Sequence, residues 1–435
     1  MLSANETDIE AFNMIVERFQ RNDTSSFDAD LKKLIDLYRR GMETTIPILP
    51  YTIGRFYDSI DSPKAKFFFM QALDIPETSE RAASALSKYP HEIDAETEKI
   101  LRLKPMISHT TFNDVVGLEH IKSYVQKNII YPLANTDSFS KYHQKIGASF
   151  ILYGPPGNGK TLLAKAIAGS VGVPFINIES ATLKGQYQGV TAKNVKAVFE
   201  QARAISPCIL FFDEFEHLAQ KRENLSGDSR HGGTSDLLSA INTMLTELDG
   251  AASNETIFIV GSTNRPWMLD SAITRSGRFE DLLYVPPPDR KQRELGFRYY
   301  FKDKNTTKLH YRLLSTLSEG YSQADIAKIA NKTTIEHIFK RKDKRISNTE
   351  ILRSIADEKG SLLNWFNDAR KELVGERQLQ IVNGKKIEKW DKGKIEENDR
   401  QRFKPLLKDL LRFASADYAH TIAMRRNIAK VLSYF

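Results

Sequence analysis

The chain has 435 residues, 41% of them hydrophobic and 27% charged, with a formal net charge of +8 at pH 7 and one cysteine. This length and balance fit a folded protein of several domains and exclude a disordered chain, and a single cysteine excludes an internal disulfide. No apolar run reaches the ~20 residues needed to cross a bilayer, and the start, MLSANETDIE, is polar and acidic, so the expectation is a cytoplasmic protein without a membrane span.

Residues 1–108 lack strand-like alternation. Ile9, Phe12, Ile15, Val16 and Phe19 share one helical face, as do Leu31, Leu34, Ile35 and Tyr38, and Pro47, Pro50, Pro63 and Pro76 punctuate shorter helical segments. The spacing predicts an α-helical N-terminal domain whose aromatic run Phe67-Phe68-Phe69 is core rather than groove.

From Thr111 the pattern alternates between helix and strand. Short apolar strands are expected at Phe150–Tyr153, Pro174–Ile178, Cys208–Phe212, Ile257–Val260 and Leu282–Val285, separated by helical stretches. The fold class is α/β, with a parallel sheet covered by helices on both faces.

The first of these strands breaks into Gly154-Pro155-Pro156-Gly157-Asn158-Gly159-Lys160-Thr161, followed by the helical pattern LLAKAIAG. This fits G-x-x-x-x-G-K-[ST]. The glycines let backbone N–H groups curl around a polyphosphate, the helix points its positive end at the same anion, Lys160 reaches the outer phosphates and the Thr161 hydroxyl suits Mg²⁺. Strand, loop and helix in this order define a nucleotide-phosphate site.

The strand CILFF runs into Asp213-Glu214, an acidic pair suited to holding Mg²⁺ through Asp213 and polarising the attacking water through Glu214. The strand TIFIVGSTN ends at Asn264, which can hydrogen-bond a γ-phosphate or the water. Arg275 and Arg278 follow in RSGRFE, and arginines aimed at a neighbour's nucleotide would stabilise transferring charge.

Taken together these residues resemble the AAA+ ATPases, within the AAA branch that includes spastin, katanin, the ESCRT-disassembling ATPase and the proteasomal ATPases. The resemblance covers about Phe112 to Leu373. FNDVVGLEHIK is similar to the family's segment beside the adenine, GPPGNGKT to its Walker A, ILFFDE to its Walker B, STN to its sensor 1 and RSGRFE to the end of its second region of homology. GYSQADIAKIA is similar to the start of its small helical lid.

The resemblance implies an AAA+ P-loop parallel-sheet domain over 109–287, a helical lid over 288–375, and a hexameric ring. It implies that the 154–161 loop with Val116 and Gly117 holds ATP, and that Thr161 and Asp213 hold Mg²⁺. Glu214 would be the base and Asn264 the γ-phosphate sensor, with Arg275 and Arg278 acting on the adjacent subunit's ATP. Tyr187, in Lys184-Gly-Gln-Tyr187-Gln-Gly189, falls where the family carries its aromatic pore loop. Residues 225–233, LSGDSRHGG, fall at its second pore loop.

Gly189-Val-Thr-Ala192, Leu238-Ser239 and Gln323 depart from the family pattern while leaving the catalytic residues whole. Beyond Lys371 the resemblance fades. Residues 376–435 read as a charged connector with one hairpin around Asn383-Gly384 and an amphipathic helix from Arg402. Tyr434-Phe435 is similar to tails that dock into a ring protease.

The function expected is an ATP-dependent protein remodelling motor, an unfoldase or disassembly ATPase whose N-terminal domain chooses a protein substrate or adaptor. The alternatives are the unfolding cap of a compartmental protease and a nucleic-acid-dependent ATPase. The basic balance, including Lys340–Arg345, is read as a solvated face rather than a nucleic-acid surface.

Overall fold

The computed structural model describes residues 4–21, 23, 25–58, 60–89, 105–144, 146–185, 189–220, 233–254, 256–275, 277–340, 344–358, 360–382, 385–392 and 403–413. Tyr187, Arg230, His231 and the pair Tyr434-Phe435 lie outside the described residues.

Among the described residues five helices open the chain: α1 (Ala4–Gln20), α2 (Phe27–Arg39), α3 (Leu49–Tyr57), α4 (Ser62–Leu73) and α5 (Ser79–Leu86). Proline fits the first turns of α3 and α4 because no helical N–H is needed there, and Asp61 caps α4 by accepting from the Lys64 N–H. The predicted apolar faces meet inside. Phe12, Ile15, Leu34 and Ile53 are buried, and Phe67, Phe68 and Phe69 are core, at most 2% exposed.

The sheet domain is built on β1 (Ser149–Tyr153), β2 (Phe175–Glu179), β3 (Cys208–Asp213), β4 (Ile257–Thr263) and β5 (Asp281–Tyr284). All pair in parallel, in the order β2-β3-β4-β1-β5. A sheet buried on both faces requires continuous apolar strands, and residues 208–212 and 257–263 are buried throughout. Met106 adds a single antiparallel bridge beyond β2, exchanging both backbone bonds with Phe175.

Helices α6 (Glu119–Val125), α7 (Tyr131–Ala134) and α8 (Thr136–Lys141) precede β1, and one wider π turn, Gln126–Ile130, joins the first two. Then α9 (Lys160–Val171) follows β1, α10 (Val190–Ala204) follows β2 and α11 (Gly233–Asn254) precedes β4. The region expected as the lid holds α12 (Arg290–Phe301), α13 (Tyr311–Leu317), α14 (Gln323–Lys340), α15 (Asn348–Asp357) and α16 (Leu362–Val374).

Residues 347–373, a continuous helical pattern in the sequence, form two helices in the structure. After α15 ends, a side chain on Gly360 would meet the Gly320 carbonyl at 2.4 Å, and Ser361 turns back to donate to Asp325. Beyond α16, β6 (Gly375–Val382) and β7 (Lys385–Lys392) form the expected antiparallel hairpin. The amphipathic α17 (Lys404–Phe413) returns to the sheet, burying Phe403, Leu406 and Leu410 beside Tyr153, Tyr284 and Phe366.

The N-terminal helices share an apolar core with the outer face of the sheet domain. Phe67 and Phe68 of α4 and Val195, Val198 and Phe199 of α10 belong to one buried cluster, and the Arg39 guanidinium donates to the Ile205 carbonyl at 3.0 Å. Burial pulls the Arg39 pKa down from its ordinary value, with nearby acidic groups opposing the shift.

Candidate nucleotide site

The carboxyl ends of β1, β3 and β4 and the lid converge on the 154–161 loop. β1 lies directly beside β4, with Tyr153 opposite Thr263, and the Gly154 N–H donates to the Thr263 carbonyl at 3.3 Å. Asn264 therefore emerges beside the loop. Gly154, at φ +151, runs so close to the Val285 carbonyl that a side chain would meet it at 2.2 Å. Gly157, at φ +75, lies against Ser322, and its carbonyl accepts from the Ala324 N–H at 3.0 Å, so the lid rests on the loop itself.

Lys160 is 7% exposed, and its ammonium donates to three acceptors: Gly154 O and Pro155 O at 2.9 Å and Asn264 Oδ1 at 2.6 Å. Burial pushes its pKa down to about 8, with the charges of Glu216 and Asp213 opposing the shift. Thr161 Oγ1 donates to Asp213 Oδ2 at 2.8 Å. The other oxygen, Asp213 Oδ1, accepts from Ser262 Oγ at 2.5 Å and the Glu214 N–H at 3.0 Å, while Ser180 Oγ donates to the Asp213 carbonyl at 2.6 Å. Asp213 is thus fixed from three sides, with the oxygen that meets Thr161 turned toward the loop.

Glu214 stands in the left-handed region at φ 48, a conformation a non-glycine residue adopts at a cost of about 1–2 kcal/mol. Its side chain is 59% exposed and reaches toward His217, whose Nε2 lies 3.6 Å from Glu214 Oε2. The adjacent Asp213 is anchored and Glu214 is free to face solvent, a division of labour that suits one metal ligand and one water-orienting carboxylate.

Residues 150–287 match the family model "ATPase family associated with various cellular activities (AAA)". The chain carries an AAA ATPase domain. Such domains hydrolyse ATP, typically with Mg²⁺, and their proteins are usually oligomeric.

The AAA domain and its lid enclose a cavity of about 330 Å³ beside the loop, bordered by Val115, Val116, Asn158, Leu162, Tyr300 and Gln323. Asn158 is 7% exposed, yet neither its amide nitrogen nor its oxygen has a hydrogen-bond partner. A buried amide with unmet donor and acceptor capacity fits a polar ring edge or a phosphate, so the residues present fit a nucleotide. Thr161 and Asp213 offer two hard oxygens side by side, the small protein share that Mg²⁺ takes when phosphates and water complete its octahedron. Among the described residues no cluster of three or more His, Cys, Asp or Glu could hold a metal by itself.

Val116 borders the cavity, and Gly117, at φ +74, lies against Gln292 of α12. Arg275 is exposed. Arg278 forks onto Asp249 at the end of α11, Nε to Oδ1 and Nη2 to Oδ2 at 2.9 Å each, and gives Nη1 to the Ala272 carbonyl. The hydrogen bond to Asp249 raises the Arg278 pKa above its ordinary value. Neither arginine joins the Lys160–Asp213–Asn264 network, and Arg278 borders a separate cavity of about 600 Å³ at the amino ends of β1 and β4.

Sequence reasoning missed Tyr299 and Tyr300 at the cavity, Ser262 behind Asp213, and Glu216 and Trp365 around Asn264. Ser262 was legible in the quoted STN motif. The two tyrosines and Trp365 come from the lid, with no local pattern to mark them.

The start of α10 is tied to α11. Asp236, 7% exposed, accepts from the Gly189 N–H at 2.5 Å and from the Thr191 hydroxyl. Asp236→Ala is expected to cost about 2 kcal/mol locally, the scale of buried bonds to a charged group. The readout is faster amide exchange over the first turn of α10 with exchange in α9 unchanged. Equal protection in both proteins would deny the tie a role.

Proposed function

We propose that this ATPase is a protein remodelling motor, assembling into a ring of six and drawing polypeptide through the centre, with the N-terminal helices selecting the load. The observation that carries the reading is the position of α10. Its first residue, Val190, comes three positions after Tyr187 in the chain, its body packs on α4 of the helical domain, and the chain leaves it for β3 and Asp213. One rigid element thus joins substrate contact, substrate selection and the hydrolytic carboxylates.

Hydrolysis divides among the chain's own groups. Lys160 and Asn264 bind the outer phosphates, Thr161 and Asp213 hold Mg²⁺, and Glu214 takes the proton of the attacking water. The metal supplies charge neutralisation at the phosphates. Arg275 of an adjacent copy completes the charge stabilisation, because it is the exposed member of the pair. Arg278 braces the same turn through Asp249. Tyr187 grips polypeptide through apolar contact, which tolerates many sequences.

Two measurements test the reading. Glu214→Gln with saturating ATP is expected to yield particles of six copies by mass photometry, and monomers at all protein concentrations would contradict the ring. Tyr187→Ala is expected to keep ATP turnover within about twofold while abolishing release of a bound protein substrate, the pattern of lost coupling rather than lost chemistry. Undiminished substrate release would remove threading.

A further inference from the structure

Asn264 is held from three directions, and only one of its partners is the loop lysine. Its side-chain oxygen accepts from Lys160. Its backbone N–H donates to Glu216 Oε1 at 3.3 Å, and its backbone carbonyl accepts from the Trp365 indole N–H at 2.9 Å. Glu216 is 5% exposed, and its second oxygen, Oε2, has no hydrogen-bond partner. A buried carboxylate with one oxygen unmet is costly, and stability alone would favour an apolar residue there. Its charge also favours the Lys160 ammonium.

Trp365 belongs to α16, outside the sheet domain. It is 9% exposed and packs on Trp267 with ring centroids 5.8 Å apart. The next residue, Phe366, stacks on Phe413 of α17 at 4.2 Å. The same helix is fastened to both halves of the molecule. Asp409 accepts from the Tyr284 hydroxyl at 2.8 Å on β5, and Arg412 donates to Glu319 of the lid at 2.8 Å, where Arg293 also donates at 2.5 Å. A displacement of the Asn264 backbone therefore has a packed route, Trp365 to Phe366 to Phe413, into the C-terminal helix.

We propose that Glu216 and Trp365 are positioning residues that clamp the Asn264 backbone at its N–H and at its carbonyl, setting its amide for the γ-phosphate and passing its movement to α17. The inference rests on the reading of Asn264 as the phosphate-facing residue. Glu216 fixes the resting position, and Trp365 reports departure from it. The lid thereby responds to the third phosphate through a hydrogen bond to backbone, separately from its contact with the 154–161 loop.

The test uses the full chain with Trp267→Phe and Trp390→Phe, leaving Trp365 as the sole indole among the three tryptophans. Its emission is expected to differ between the complexes with ADP and with a non-hydrolysable ATP analogue. Asn264→Ala is expected to erase the difference while a fluorescent nucleotide still binds. Kinetics in the natural tryptophan background separate positioning from folding. Glu216→Ala is expected to lower kcat roughly tenfold with KM for ATP within about twofold, and Glu216→Gln, which keeps an accepting oxygen, to recover most of it. Identical emission in both complexes with nucleotide bound, or equal losses in Glu216→Ala and Glu216→Gln, would overturn the clamp. A chain that hydrolyses no ATP before any substitution contradicts the proposed function instead, so the two failures are distinguishable.

Discussion

Glu214→Gln is expected to lower ATP turnover by ~10²–10⁴-fold, the range for removal of a general base, while ATP affinity changes by less than about threefold. The reason is geometric. Asp213 is committed to Thr161, Ser262 and the Glu214 N–H, leaving Glu214 as the exposed carboxylate at the end of β3. Glutamine keeps the shape and the left-handed backbone but cannot accept a proton from water. Single-turnover phosphate release and equilibrium binding of a fluorescent nucleotide separate the two quantities. Turnover within tenfold of the unsubstituted protein would assign the base elsewhere.

The second large effect is the pH dependence of ATP binding through Lys160. Its pKa is lowered by burial from 10.5 to about 8, so between those values the folded protein holds fewer protons than the unfolded chain. Lys160 therefore weakens the fold below pH 8, and this penalty fades as pH rises from 8 toward 10.5. ATP binding has the opposite preference, because the phosphates require the ammonium. Affinity is expected to fall as pH rises through 8, reaching about tenfold weaker at pH 9 than at pH 7. Binding at pH 8 is expected to take up about half a proton, measured by titration calorimetry in two buffers of different ionisation enthalpy. Lys160→Ala is expected to bind more weakly at every pH and to lose the dependence. An affinity flat between pH 7 and 9 in the unsubstituted chain would contradict this role.

The local parts of the site were legible in the sequence. Strand, glycine loop and helix follow one another within Ser149–Val171, and Asp213 and Asn264 each end an apolar run, so their place at the carboxyl edge of the sheet follows from patterning alone. The order of the strands does not, since β1 lies between β4 and β5 and the pairing is entirely between segments distant in the chain. Trp365 stands about a hundred residues from Asn264, and its role comes from the lid folding over the strand ends. The break between α15 and α16 escaped for the same reason. It is imposed by the close approach of Gly320 and Tyr321 to Gly360, a tertiary contact overriding a continuous helical pattern. Arg278 was expected to act on the adjacent subunit's ATP, and its fork onto Asp249, which depends on α11 lying alongside, has no local mark in RSGRFE.

We propose that ATP is hydrolysed at a site shared between copies of this chain. The direct measurement is ATP turnover in a mixture of two inactive variants, Arg275→Ala and Glu214→Gln. In a head-to-tail ring, an Arg275→Ala subunit supplies an intact Glu214 and a neighbouring Glu214→Gln subunit supplies an intact Arg275. Random mixing in equal amounts is expected to restore about a quarter of full turnover, because one neighbouring pair in four has both groups intact in the required order. Turnover no higher than the average of the two variants measured alone would contradict a shared site and leave each AAA domain acting by itself.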